Sequence, residues 1–218
     1  MLYTEIFINN DYYFKSAKKD PVIIDCGGNT GLTMLYYKSR YPKAKITVFE
    51  PNPVCVNAIS NNIRDNKLTQ TVVIPKAVWN KESTMKLAVI EGNSAVGSLF
   101  THQKDPGFKE QEISVKTTRL SQYIRSRVDV LKIDIEGAEV DVLREVKSKL
   151  HLVDRLIIES HTLTIDGKRV DNTPAVIDML VAEGYACWFK GGFSPLNGKD
   201  YPSMIYAKRF SKGKRQPF

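Results

Sequence analysis

Cysteine is scarce in this sequence: Cys26, Cys55 and Cys187 are the only three, far apart and odd in number. That excludes a disulfide-stapled scaffold, and the lack of a CxxC pair removes zinc knuckles and thiol exchange. A reducing, cytoplasmic setting is the simpler expectation. No stretch approaches the ~18 uncharged apolar residues of a membrane-crossing helix, so no transmembrane segment is expected. Glu5 interrupts the opening MLYTEIFINNDYYF before a signal-peptide core can form. Histidine is as rare as cysteine, limited to His102, His151 and His161. Two phosphate motifs are missing as well. A dinucleotide fingerprint starting at Gly27 would need glycine at the positions of Asn29 and Leu32, and a P-loop would need lysine where Leu32 follows Gly31. No repeat or low-complexity segment is present.

What is there is the composition of a folded domain: 218 residues, 42% hydrophobic and 26% charged, enough for a sizeable core without staples. The formal charge is +8, and much of it sits at the ends, in Lys15, Lys18 and Lys19 and in Lys208, Arg209, Lys212, Lys214 and Arg215. Such a sign favours an anionic partner in general. No aromatic-rich RNA-binding motif accompanies it, so nucleic acid is disfavoured as a partner and a solvated tail is the plainer reading. The expected organisation is a short lead-in over 1–20, one domain over 21–210 and a basic tail over 211–218.

Short apolar runs alternate with helical patterns. Pro21 opens VIIDCGG, a buried strand ending at Gly27-Gly28, and a helix follows from Thr30. Ile46 to Phe49 is a second strand, closed by Glu50-Pro51, with Pro53 opening the next helix. Thr71 to Ile74 is a third, and Met85 to Ile90 an additional one, followed by a glycine-containing segment. Thr101 to Glu112 lacks a sustained period and reads as a surface loop. Val128 to Ile133 leads into a helix from Ala138 to about Leu150, and Val153 to Ile158 is the next strand. Thr173 to Glu183 is a helix capped by Asp171 or Asn172. Tyr185 to Phe189 and Met204 to Lys208 form a closing antiparallel pair. The pattern predicts an α/β fold, a doubly wound, mixed seven-stranded sheet with helices on both faces, whose ligands bind at the carboxyl ends of the strands.

Those strand ends carry the chemistry. Asp25 with Gly27, Asn29 and Gly31 forms an acidic, glycine-rich turn suited to an ammonium and a carboxylate, as in the methionine portion of S-adenosylmethionine. Glu50 ends the next strand, where a carboxylate accepts both hydroxyl hydrogens of a ribose. The pair argues for an adenosine-containing ligand without a pyrophosphate. After the third strand, Val78 offers a backbone to an adenine edge, while Trp79 reads equally well as core. Asp134 and Glu136 end the fourth strand of the main series, with Glu139 entering the following helix, either as a functional acid or as a complement to the helix dipole. Lys132 reads as a salt-bridge partner. Glu159 and His161 end the next strand, and His161 is the best-placed proton acceptor near neutral pH. If those two strands are neighbours, Asp134, Glu136, Glu159 and His161 share one cleft. A divalent metal held by the acids is an alternative that spacing alone leaves unassigned.

The segments VIIDCGGNTG, VFEPNP, LKIDIEGAEVDVL and LIIESH together resemble FkbM-type S-adenosylmethionine-dependent methyltransferases, over about residues 20–208. LKIDIEGAE is the specific part. The resemblance implies a class I, Rossmann-like methyltransferase fold, with Asp25, Gly27, Asn29 and Gly31 around the methionine moiety, Glu50 and Asn52 around the ribose, and Asp134 near the reacting methyl. It implies O-methylation of a sugar, glycan or related small-molecule hydroxyl. Gly28 stands where alanine is more usual, a change expected to leave cofactor binding intact. Segments 93–110 and 190–201 are candidate acceptor walls, with Phe100, Trp188, Phe189 and Phe193 available to stack on a sugar. RNA methylation and a non-catalytic cofactor-binding module are the competing readings, and a homo-oligomer is compatible with all of them.

Overall fold

The computed structural model describes residues 2–90, 93–98, 110–165, 168–191 and 202–210. In chain order the strands and helices are β1 (Val22–Cys26), α1 (Leu32–Arg40), β2 (Lys45–Phe49), α2 (Pro53–Asp65), β3 (Thr71–Ile74), β4 (Ala77–Val78), β5 (Thr84–Ile90), β6 (Asn93–Ser98), β7 (Glu110–Thr118), β8 (Val130–Ile133), α3 (Glu139–Val146), β9 (Arg155–Ser160), β10 (Thr162–Ile165), β11 (Lys168–Asp171), α4 (Thr173–Ala182), β12 (Tyr185–Lys190) and β13 (Ser203–Arg209). Seven of these strands form the main sheet in the order β12-β13-β9-β8-β1-β2-β3. All neighbours are parallel except β13, which runs antiparallel to both β9 and β12.

Consecutive residues in the central strands serve opposite faces, as the period of two requires. Ile23, Val130 and Ile157 pack with Met34, Tyr36 and Tyr37 of α1 and Ile59 of α2. Their neighbours Ile24, Leu131 and Ile158 pack with Val142, Leu143 and Val146 of α3 and Val176 and Leu180 of α4. Both faces are therefore covered, which is why these strands read as continuous apolar runs. The chain leaves β1 for β2 on one side, and β8 lies on the other. The crevice between β1 and β8, outside their carboxyl ends, is the switch point at which such sheets bind ligands.

Several boundaries differ from the sequence reading. Residues 110–112, expected in a loop, begin β7, and the rest of that expected loop, 101–109, lies outside the described residues, as do His102 and the tail 211–218. Strand β7 pairs with β5, and a second, four-stranded sheet of order β4-β7-β5-β6 results. Alternation in EQEISVKTT is present but weakly apolar, with Val115 its buried apolar member beside buried Thr117 and Thr118. The helix after Ala138 ends at Val146 and tightens into a 3-10 segment over Lys147–Leu152. Asp171 accepts from the Thr173 N–H at 2.9 Å, so it and not the Asn172 side chain caps α4. The hairpin β10–β11 and a π-helical turn over Thr4–Ile8 were not expected at all. Among the described residues no helix is long and apolar enough to cross a membrane.

Candidate active site

A cleft of about 1020 Å³, counting its open mouth, lies at the carboxyl ends of β1, β2, β8 and β9. Gly27, Asn29, Glu50, Asn52, Val78 and Asp134 line it, together with Glu136 and Glu159. Sequence-predicted groups from five separate stretches are thus brought to one place.

The turn after β1 is shaped by contact with β8. Gly27 has φ +85°, and a Cβ there would stand 1.7 Å from the Asp134 carbonyl oxygen. Only glycine fits so close to a neighbouring backbone. At Gly28 a Cβ would meet Val48 Cγ1 at 2.2 Å, so in this chain glycine is matched to a β-branched neighbour. Glu50 is buried, and its two carboxylate oxygens accept from the backbone N–H groups of Asn29 (2.8 Å) and Asn52 (2.9 Å). Burial pushes its pKa up to about 7 against those two hydrogen bonds. The Asn52 side chain accepts from Val54 N–H at 3.0 Å and caps α2.

Two expected contacts need correction. Asp25 is fully buried behind the cleft and does not line it. Its register partner across β1 and β8 is Lys132, whose Nζ lies 3.1 Å from Asp25 Oδ1. Gly31 also stands off the wall, serving as the N-cap of α1 at φ +89°. Lys132 does reach the cleft, buried to 2% side-chain exposure, donating to the Gly27 carbonyl at 2.6 Å and lying 3.3 Å from Asp134 Oδ2. Burial alone would lower its pKa, but Asp25 and Asp134 outweigh that and hold it above the usual lysine value.

Tyr12, which the sequence reading did not single out, closes the far side. Its hydroxyl lies 2.7 Å from Glu159 Oε2 and 3.2 Å from Asp134 Oδ2, bridging the ends of β8 and β9. Burial, then the two carboxylates, raise its pKa well above the ordinary tyrosine value, so it stays a donor. A tyrosine pair in a polar lead-in was the available signal. Burial also raises Glu136 and Glu159 to about 7, with Asp134 adding to both.

His161 is surrounded by acids. Its Nδ1 is 3.0 Å from Oε1 of fully buried Glu139, and its Nε2 is 3.4 Å from Glu136 and 3.9 Å from Glu159. Burial would lower its pKa, yet these acids lift it to about 10. Both ring nitrogens thus face carboxylates, and His161 does not itself line the cleft. Glu139 lies in the first turn of α3, where an acid complements the helix dipole, and it also anchors this ring and accepts from the Gly137 N–H at 2.9 Å. Asp134, Glu136 and His161 each offer a ligand atom, all within 4.8 Å of one another, so a metal ion would find its donors here.

Of the expected acceptor-wall aromatics, Trp188 and Phe189 are exposed, at 54% and 61%, and Trp188 stacks on Tyr206. Phe100 and Phe193 lie outside the described residues. Trp79 is core and His151 bonds the Ser148 carbonyl at a helix end.

A family model described as methyltransferase FkbM domain matches residues 25–187. Methyltransferase sdnD of Sordaria araneosa is 29% identical over 190 residues, 73% of each chain. The 31-O-demethyl-FK506 methyltransferase FkbM of Streptomyces tacrolimicus is 28% identical over 197 residues, 70% of this chain and 75% of that one. Hexuronic acid methyltransferase AglP of Haloferax volcanii is 26% identical over 151 residues, 67% of this chain and 59% of that one. Among solved structures, methyltransferase FkbM from Methylobacillus flagellatus superposes with a TM-score of 0.63 at 13% identity. That match covers 94% of this chain, which spans about half (47%) of the other, and it supports the fold alone.

Proposed function

The chain belongs to the methyltransferase FkbM domain family and is an S-adenosylmethionine-dependent methyltransferase; on that premise we propose that it methylates a hydroxyl oxygen of a sugar, glycan or related small molecule. The observation that carries this reading is the meeting, in one cleft, of Glu50 with the acidic ends of β8 and β9. Two relatives lend support by their names, one placing the methyl on an oxygen and the other acting on a sugar acid.

The residues fit the cofactor. Glu50 spends one lone pair of each oxygen on a backbone N–H and keeps others for the two ribose hydroxyls. Val78 and Leu87 give an apolar wall for adenine, and the Gly27–Asn29 turn allows close backbone approach to the amino-acid end. When bound, the cofactor supplies a methyl already activated by its sulfonium. The protein is left to align the acceptor and to take its proton.

Asp134 sets negative charge beside the cationic part of the donor, and Lys132 and Tyr12 hold that carboxylate in place. Asp25 is a positioning residue that acts through Lys132. Glu159 lines the cleft and takes over the role of proton acceptor expected of His161, with Tyr12 orienting one of its oxygens. A neutral sugar hydroxyl is a poor nucleophile, so this base carries weight. Incubation with methyl-labelled cofactor and a panel of sugars, uronic acids and hydroxylated small molecules, read by mass spectrometry, tests the assignment. Label on a hydroxyl oxygen is the expected result; label on RNA, or on a nitrogen or carbon atom, would overturn the acceptor class.

A further inference from the structure

Five carboxylates meet near the ends of β1, β8 and β9 and the start of α3: Asp25, Asp134, Glu136, Glu139 and Glu159. Lys132 and His161 stand among them. Lys132 is committed to Asp25, Asp134 and the Gly27 carbonyl. Five carboxyl groups thus crowd around two cations, in a place where unbalanced charge is costly.

The histidine is prepared for more than an ion pair. Its Nδ1 is anchored by Oε1 of buried Glu139, which is itself fixed by the Gly137 N–H. An imidazole held by a carboxylate at one nitrogen presents the other to a ligand, the arrangement common to metal-binding histidines. That other nitrogen, Nε2, lies 3.4 Å from Glu136 Oε2. Glu136 adopts φ +54°, a left-handed backbone that a non-glycine residue seldom takes and that marks functional sites. Among the described residues the buried Oε2 of Glu139 has no hydrogen-bond partner, as in a cluster that has room for a cation.

We propose that Asp134, Glu136 and His161 bind one hard divalent cation of the Mg²⁺ or Mn²⁺ class, with Glu139 as the residue that positions the imidazole. The ion takes the place at Nε2 that a proton otherwise holds. Three protein donors leave coordination positions to water or to an acceptor oxygen. The use made of the ion, seating the acceptor hydroxyl beside the methyl-transfer cleft, rests on the function proposed above; its binding does not.

Manganese(II) alone is the probe. Calorimetry and loss of the free-ion signal in electron paramagnetic resonance should show one ion per chain. Electron-spin-echo modulation should show one directly bound nitrogen. His161→Ala should abolish the nitrogen modulation, and Glu136→Gln and Glu139→Gln should each weaken uptake about tenfold or more. S-adenosylhomocysteine binding, measured in the same samples, reports whether each variant has folded. Should His161→Ala fail to fold, the nitrogen coupling in the unaltered protein decides. No stoichiometric uptake, or uptake without a bound nitrogen, in protein that still binds S-adenosylhomocysteine overturns the site and leaves the methyltransferase reading standing. Failure to bind S-adenosylhomocysteine strikes at that reading instead.

Discussion

Asp25 and Lys132 are two charges taken wholly out of water and made to depend on each other. Removing one partner of such a pair leaves the other stranded, so Lys132→Met should cost about 3 to 5 kcal/mol of stability. The double variant Asp25→Asn, Lys132→Met should regain a good part of it in denaturant titrations. Glu50 poses the opposite case, an acid whose burial raises its pKa from 4.5 to about 7 with Asp25 adding to the effect and Lys132 opposing it. Because the folded value lies above the unfolded one, its contribution to stability is present below pH 4.5 and is lost as pH rises through 7. Glu50→Gln should therefore stabilise the cofactor-free protein at pH 8 and do so progressively less toward pH 4.5. The ribose needs the ionised form, so S-adenosylhomocysteine affinity should fall as pH drops from 8 to 6 in the unaltered protein and stay flatter in Glu50→Gln. Equal pH slopes in the two would contradict the assignment.

At the level of elements, the N-terminal lead-in supplies a wall of the site. Asp11 pairs with Lys190 of β12 at 2.8 Å, and Tyr12 reaches across to the ends of β8 and β9. Tyr12→Phe keeps the ring in its apolar seat and removes only the hydroxyl that orients Glu159. Turnover should fall on the order of 10²-fold with little change in melting temperature; unchanged turnover would make the hydroxyl incidental. The loop between β8 and α3 is equally constrained. Gly137 has φ +106°, and a Cβ there would stand 2.3 Å from Leu163 Cδ2 in β10. Gly137→Ala should destabilise the protein, and adding Leu163→Ala should restore part of the loss by removing the collision while the backbone strain persists. No recovery in the pair would place the whole cost in the backbone.

Across the whole molecule, the parts that were legible from sequence are those whose signal is local. VIIDCGG, KITVF and VLKI are apolar runs ending in turns, and they became adjacent strands of the main sheet. The place of Glu50 in the cleft was readable because an acid closing the strand after a glycine-rich turn stands where such sheets bind ligands. The second sheet was only partly readable, since β7 has weak alternation and gains its partners from residues distant in the chain. Tyr12 offered little more than a tyrosine pair for the same reason: its partners lie 122 and 147 residues away. His161 was placed near the right residues, but that both of its ring nitrogens face carboxylates was not legible. The acids around it, Glu139 above all, decide which form of the ring prevails, and a sequence shows their presence without their distances. Asp25 lies beneath the cleft and not on its surface, because the strand register puts it opposite Lys132, which a sequence does not show.

The account stands most directly on the affinity of S-adenosylhomocysteine, measured by calorimetry at pH 8 in the unaltered protein and in Glu50→Ala, with melting curves confirming that both are folded. Two lost bonds to a charged acceptor predict a weakening of about 100-fold or more. Equal affinity in the two proteins would mean that the donor's ribose does not sit on Glu50 and would contradict the arrangement described for the cleft.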